Sequence, residues 1–337
     1  MAKRKIFPMF IPHAGCPNQC VFCNQKHISG SLFPVSGKDV HAALSALEGT
    51  DYELAFYGGS FTAIPTEQQE ELLRAVQPFR STGLVSSVRV STRPDAIDEE
   101  RLWRLRHYGV ETVELGAQSM TERVLRLSER GHTPEDVRRA SAMVKDAGFT
   151  LILQMMTGLP GETRESTAES AREIIALHPD GVRIYPTVIV RDTPLFEQWK
   201  RGEYAEHSVE DAVEVCADIL PLFMEAGIPV IRLGLNPTEE LSGGEAVGGA
   251  YHPALGELVR SRIYRRKAEV LLEGTETGSS VVLEVARGRL SQMKGQKNAN
   301  LDYLREKFGL HDVSVRESGN AGGENFYLTV AKQGRIG

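Results

Sequence analysis

The chain has 337 residues, 41% apolar and 25% charged, which is ample for a sizeable core in a large domain plus a small one. A net charge of −6 excludes a global basic field for nucleic acid, so any such binding needs a local patch. No apolar run approaches a membrane span, the basic start Lys3-Arg4-Lys5 leads into a stretch broken by Pro8 and Pro12 rather than into a secretory signal, and four cysteines, three of them clustered, fit a reducing cytoplasm.

In chain order, Ile6–Ile11 reads as a first strand. The stretch His13–Asn24 follows directly and holds Cys16, Cys20 and Cys23, with gaps of three residues and then two. Three thiolates this close can hold a metal centre, yet they are one short of the four that close a four-iron cube. One iron would then keep an open coordination site, as catalytic metals do. Zinc on the three thiolates plus His13 or His27 is the alternative, and an odd count in a reducing setting argues against a disulfide.

A helix is expected from Lys38 to Leu47. Leu54–Tyr57 reads as a buried strand ending in Gly58-Gly59-Ser60-Phe61, followed by a helix over Thr66–Val76 with Thr66 as its N-cap. Val88–Val90 is a strand running into Ser91-Thr92-Arg93-Pro94-Asp95. Asp98 caps a helix bearing Leu102, Leu105 and Tyr108, which Gly109 ends. Thr112–Leu115 is the next strand. Thr133 is an N-cap, Pro134 opens its helix, and Val137, Ala140, Val144 and Ala147 recur at helical spacing until Gly148 stops it. Phe149–Met156 is then almost wholly apolar, as a strand buried on both faces should be. The loop Gly158-Leu159-Pro160-Gly161, a helix over Thr163–Leu177, a strand at Val182–Tyr185 stopped by Pro186, a helix at Val209–Ala226 and a strand at Val230–Leu233 complete this half.

Repeated strand–helix alternation implies a parallel sheet. Candidate functional stretches recur after successive strands: the cysteines, Gly-Gly-Ser-Phe, Arg93 and Gln118. A barrel brings such strand ends to one mouth, whereas a doubly wound sheet, the alternative, has one switch point. The fold class expected is therefore α/β, a partial or full (β/α) barrel over residues 1–235. A linking loop and basic helix over 236–273 and a small α+β C-terminal domain over 274–337 follow, the latter a β-α-β-β unit with strands at Val281–Val285, Val313–Arg316 and Phe326–Val330 and a helix at Asn298–Phe308. The Gly-rich Ser242–Ala250 marks a boundary or flexible loop.

Phe22, just before Cys23, completes the pattern Cys-x-x-x-Cys-x-aromatic-Cys, which resembles the signature of the radical S-adenosylmethionine (SAM) enzymes. Tyr57-Gly58-Gly59-Ser60-Phe61, Thr92-Arg93-Pro94-Asp95, Val113–Ser119, Arg130-Gly131-His132-Thr133 and Ile184-Tyr185-Pro186-Thr187 occur in that order. Together they resemble the radical SAM domain of the Elongator catalytic subunit over roughly residues 5–235. That resemblance implies a [4Fe-4S] cluster on Cys16, Cys20 and Cys23 and reductive cleavage of SAM to a 5′-deoxyadenosyl radical. It also implies a SAM pocket formed by Phe22, Gly58, Gly59, Ser60, Arg93, Glu114 and Gln118, in which glycine lets the backbone approach the cofactor. It further implies tRNA or another RNA as substrate, a donor such as flavodoxin or ferredoxin, and a cytoplasmic location.

Each residue also has a plainer reading. Arg93 can pair with Asp95, Glu114 with an arginine on the next strand, and Gln118 can bond to backbone. Gly58-Gly59 is an ordinary turn after a strand. Cys216 reads as core packing, and His13 and His27 as supports of the cysteine loop. The Elongator subunit carries an acetyltransferase domain after its radical domain and a basic N-terminal extension; the roughly one hundred residues after the barrel are too few for the former, and Lys3-Arg4-Lys5 is all that stands for the latter. The barrel also looks like that of oxygen-independent porphyrinogen oxidases, which leaves a small metabolite as the alternative substrate, and a non-catalytic, zinc-structured RNA-binding protein is the alternative of another class. The densest basic segment runs through Arg260, Arg262, Arg265, Arg266 and Lys267, either a nucleic-acid contact or an interdomain seam. Arg287–Phe308 is similar in element order to a KH-type RNA module, with Gly295 alone where its G-x-x-G clamp has two glycines.

Overall fold

From Lys5 to Leu233, apolar runs alternate with amphipathic helices, and in the computed structural model the runs become strands: β1 Lys5–Phe10, β2 Tyr52–Tyr57, β3 Val85–Thr92, β4 Val110–Gln118, β5 Thr150–Thr157, β6 Gly181–Pro186, the short β7 Val188–Val190, and β8 Val230–Leu233. The structure describes residues 5–11, 15–23, 35–235, 244–319 and 326–335, without the side chains of 332–335; His13, Asn24, His27 and residues 242–243 lie outside these. Among the described residues the sheet order is β1-β2-β3-β4-β5-β6-β8, every pair parallel.

The strands that pair are successive in the chain, apart from β7, which stands outside the sheet. With right-handed crossovers the connecting helices therefore all fall on one face. Such a singly wound sheet curls into a partial (β/α) barrel with no switch point, which decides against the doubly wound alternative. β1 and β8 are its two edges, so the barrel is open.

The outer helices are α1 Gly37–Ser45, α2 Thr66–Ser81, α3 Glu99–His107, α4 Glu122–Leu127, α5 Pro134–Asp146, α6 Arg164–Ala176, α7 Pro194–Lys200 and α8 Val209–Glu225. α1, α5, α6 and α8 each begin in a capping box, set by Ser36 with Asp39, Thr133 with Asp136, Thr163 with Ser166, and Ser208 with Asp211. Each box satisfies helix-end donors that would otherwise need water. Thr66 is not a cap: Pro65 holds that position, and its carbonyl accepts from the Gln68 and Gln69 amides, so Thr66 is the first helical residue. The helical stops Gly109 and Gly148 both adopt φ +74°, as expected of a left-handed cap. β5 buries Leu151, Ile152, Leu153 and Met155, the two-faced burial its apolar run implied.

The remaining elements are β9 Ala246–Gly249, α9 Leu255–Leu271, β10 Ser279–Val285, α10 Leu290–Lys294, α11 Ala299–Lys307, β11 Asp312–Glu317 and β12 Leu328–Arg335. The Gly-rich stretch is not simply a loop, because its described part forms β9 and pairs antiparallel with β7. Gly249 is required there: a Cβ would stand 2.7 Å from the Thr187 carbonyl oxygen. β10 is central in a second sheet, parallel to β11 and antiparallel to β12.

α9 joins this sheet to the barrel. It packs on α8, and its cations face α8 carboxylates: Arg262 with Glu210 at 2.6 Å, Arg266 with Asp218 at 2.8 Å and with Glu214. Arg265 lies 3.9 Å from Glu214 and 3.7 Å from Glu269, and Lys267 donates to the Phe326 carbonyl at 3.0 Å. Arg262, Arg265 and Arg266 thus form a seam with acids of α8 and Glu269, whereas among the described residues Arg260 and Lys267 meet no carboxylate.

Candidate active site

A cavity of about 370 Å³ opens where the C-terminal ends of the barrel strands meet the cysteine loop. Cys16, Cys20, Cys23 and Phe22 line one side; Gly58, Gly59, Arg93, Glu114 and Gln118 line the others. Every strand-end residue expected from the sequence except Ser60 thus reaches one space, as a barrel mouth requires.

The cysteine loop is seated by a residue that spacing did not single out. Gly15 has φ +76°, and a Cβ on it would come within 2.4 Å of the Ser60 carbonyl oxygen. The loop therefore lies directly on the turn after β2. Ser60 is fully buried behind the cavity wall, its hydroxyl 2.9 Å from the Thr92 hydroxyl and accepting from the Arg93 amide at 3.2 Å. It ties the ends of β2 and β3 together and does not present its side chain to the cavity.

Arg93 is buried with two carboxylate contacts, Nε to Asp95 Oδ1 and Nη2 to Asp95 Oδ2, both 2.9 Å. Nη2 also donates to the Arg130 carbonyl at 2.7 Å, while Nη1 is buried without a partner among the described residues. Arg130 is the principal residue that sequence reasoning missed, although it stands in one of the motifs that carry the resemblance. Its Nη1 donates to Cys20 Sγ at 3.4 Å and its Nη2 to the Gly116 carbonyl at 3.0 Å; Nε is buried and unpartnered among the described residues. Gly116 permits this approach, since a Cβ there would stand 2.7 Å from Arg130 Nη2. Burial pushes the Cys16 thiol up from its ordinary value, and Arg130 and then Arg93 pull the other way.

Gln118 sits at φ +66°, a region uncommon for any residue but glycine, just past a register shift in β4. The bulge turns its side chain toward β5, where it pairs reciprocally with Gln154: Gln154 Nε2 donates to Gln118 Oε1 at 2.7 Å, and Gln118 Nε2 to Gln154 Oε1 at 3.3 Å. Such a residue held in a sparse region by its surroundings is a mark of functional sites.

Glu114 closes the deep end. Its Oε1 accepts from Arg183 Nη2 at 3.0 Å and Nε at 3.2 Å, and from Arg89 Nη1, while Arg89 also forks onto Glu53 at 3.0 Å. Arg183 Nη2 donates to the Tyr57 hydroxyl at 2.9 Å, and Nη1 to Tyr185 at 3.4 Å. Both tyrosines line the cavity, and burial above all pushes their hydroxyls up, which keeps them protonated. Glu114 is thus a cavity-wall residue whose carboxylate orients Arg183 and, through it, two phenols.

A four-iron cluster asks for a thiolate at each of separate irons, and the thiols of Cys16, Cys20 and Cys23 line one side of this cavity. The unpartnered guanidinium N–H of Arg93 and of Arg130 beside these thiols supplies donors for an anionic guest. His13 and His27, the zinc alternatives, lie outside the described residues. Cys216 is fully buried in α8, and burial pushes its thiol up to about 12, as a packing residue.

A family model described as the Radical SAM superfamily matches residues 10–174, and one described as the Radical_SAM C-terminal domain matches residues 179–265. The chain belongs to the radical SAM superfamily. Members bind a [4Fe-4S] cluster and SAM, and the chain is an enzyme of this type. The human Elongator complex protein 3 is 34% identical over 190 residues, 50% of this chain and 35% of that protein. The tRNA uridine(34) acetyltransferase of Methanocaldococcus infernus is 32% identical over 183 residues, 48% of this chain and 34% of that one. The matched region thus spans about a third of these relatives' length. Among solved structures, the archaeal Methanocaldococcus infernus Elp3 with an N-terminal deletion superposes with TM-score 0.62 at 24% identity, covering 84% of this chain and 71% of that one. Coproporphyrinogen III oxidase from Escherichia coli does so at 0.50 and 18% identity, covering 67% and 54%. Both share the fold. Among the described residues no helix is long and apolar enough to cross a membrane.

Proposed function

We propose that this radical SAM enzyme modifies a nucleobase of RNA, with tRNA as its substrate, using a cluster held by Cys16, Cys20 and Cys23. The observation that carries the reading is the convergence of the three thiols, Arg93, Arg130 and the Gln118–Gln154 pair on one cavity, in a chain whose 32–34% identical relatives include a tRNA uridine(34) acetyltransferase. When bound, the cluster and SAM supply a 5′-deoxyadenosyl radical. The chain's own residues do the rest. Arg130 donates to Cys20, Gly58 and Gly59 leave room for the cofactor's methionine end, and Arg93 and Gln118 with Gln154 fix its position. Tyr57 and Tyr185, aligned by Arg183, present phenolic hydroxyls at the deep end. A base must leave its stack to reach such a site, so the polynucleotide has to be held outside it. A small one-electron carrier such as flavodoxin or ferredoxin in the cytoplasm is the donor in this reading.

The test has two stages. Protein purified without air should carry about four irons and four sulfides per chain, lose them on alanine replacement of Cys16, Cys20 or Cys23, and keep them in Cys216→Ala. With dithionite and SAM it should release 5′-deoxyadenosine. One zinc and no iron, or no deoxyadenosine from a loaded and reduced protein, refutes the cluster assignment. The RNA assignment is tested by nucleoside analysis of RNA from a deletion strain: a missing modified nucleoside supports it, and an unchanged profile sinks it in favour of a small metabolite.

A further inference from the structure

We propose that the turn between α10 and α11, Gly295-Gln296-Lys297-Asn298, together with Arg287, Arg289 and Lys294, is a clamp for the sugar–phosphate backbone of RNA. The proposal rests on the RNA reading above and names the surface that reading still needs.

Ala286–Leu301 carries Arg287, Arg289, Lys294 and Lys297 and no acidic residue, within a chain of net charge −6. Arg287, Arg289 and Lys297 are exposed and Lys294 is partly so. Among the described residues none of the four forms an ion pair, whereas Arg262, Arg265 and Arg266 of α9 are all paired. Two carboxylates that touch this stretch do so through neutral amides and not through its cations: Glu317 accepts from the Gly288 amide at 2.7 Å, and Glu257 from Gln292 at 3.1 Å.

The turn is built and held. Gly295, Lys297 and Asn298 have φ of +71°, +53° and +67°. Asn300, buried at the start of α11, donates from Nδ2 to the Ser261 carbonyl at 3.0 Å, the Ser261 hydroxyl at 2.9 Å and the Met293 carbonyl at 3.0 Å. The turn is thereby fastened to α9, and a Cβ on Gly295 would stand 3.2 Å from Ser261 Oγ. A rigid turn loses little freedom on binding, which favours affinity.

Two short helices joined by four residues pack beside a three-stranded sheet of two parallel strands and one antiparallel strand. In KH modules a G-x-x-G turn clamps about four backbone nucleotides. The second glycine is absent here, but asparagine is among the residues that best tolerate the left-handed region, and Asn298 adopts it. The conformation that the second glycine would supply is therefore present.

The test is a salt series of tRNA binding by the full, cluster-loaded chain. Lys294→Gln/Lys297→Gln should weaken binding at low salt by about tenfold or more and flatten the slope of log K against log salt by about 1.4–1.8, as two fewer neutralised phosphates require. Lys294→Arg/Lys297→Arg should keep the wild-type slope. Iron content and RNA-free deoxyadenosine release should be unchanged in both, which reports intact folding. Wild-type binding with an unchanged slope in the Gln variant overturns the clamp and leaves the RNA reading standing. Failure of the wild type to bind tRNA at low salt overturns both.

Discussion

Glu114→Gln removes one charge from the most closely knit part of the barrel interior. Glu114, Arg89 and Arg183 are each less than 10% exposed, and Glu53 balances only one of the two guanidinium groups. At the 3.0 Å Glu114–Arg183 separation the pair attraction is roughly 5 kcal/mol at an effective dielectric constant of about 20, offset in part by the desolvation of both ions. Removing one partner of a buried pair typically costs about 3–5 kcal/mol because the other stays buried and unmatched. That range is expected for Glu114→Gln in urea unfolding of the cluster-free protein followed by circular dichroism. Arg183→Met in the same background leaves Arg89 with Glu53 as a balanced pair, so the double variant should be less destabilised than the two single costs combined. A cost below about 1 kcal/mol, or additivity within about 0.5 kcal/mol, would show that the network is not coupled.

Two further outcomes follow from the cavity wall. Arg130→Met should lower the midpoint potential of the bound cluster by about 60 mV, the equivalent of roughly 1.4 kcal/mol for a one-electron couple, because the reduced cluster gains more from a cationic donor at Cys20; an unchanged potential in an electron-paramagnetic-resonance redox titration refutes this, and Arg130→Lys should restore most of the shift. His132, whose Nε2 lies 3.1 Å from the Ala117 carbonyl oxygen, is held at about 3 by burial and then by Arg130. Below about pH 6.5 the unfolded histidine therefore takes up a proton that the folded one refuses, and stability falls by about 1.4 kcal/mol per pH unit down toward pH 3; His132→Gln should remove that component from the pH dependence of urea unfolding, and equal slopes for the two proteins would contradict it.

What could be read from sequence was whatever local spacing encodes. The cysteine loop, the strand ends and the capped helix after Thr133 depend on neighbours a few residues away, and they stand where the spacing put them. What escaped were pairings across the chain: Arg130 with Cys20 is 110 residues apart, and Glu114 with Arg183 is 69. The plainer reading of Glu114 pairs it with an arginine on the next strand. Its partners are Arg89 on β3 and Arg183 on β6, two strands on, because a curled sheet brings alternate strands into one interior layer. The choice between the two readings of the basic helix was hidden for the same reason: its cations are visible in sequence, and the α8 acids that meet Arg262 and Arg266 lie about fifty residues earlier.

Arg130 stands apart from the other buried arginines. Arg89 and Arg183 face Glu114, Arg93 faces Asp95, and Arg104 faces Glu100. Among the described residues Arg130 meets no carboxylate at all; its partners are a carbonyl oxygen and the Cys20 sulfur. A buried guanidinium without a counter-charge is costly. In the proposed cluster site, three thiols that become thiolates on metal binding would be the anionic partner that this cation lacks, since metal binding releases their protons. The same residue that strains the cluster-free protein should therefore couple cluster loading to stability. The loaded protein should resist unfolding more than the cluster-free one, and by a smaller margin in Arg130→Met, where the cation that needed the partner is gone.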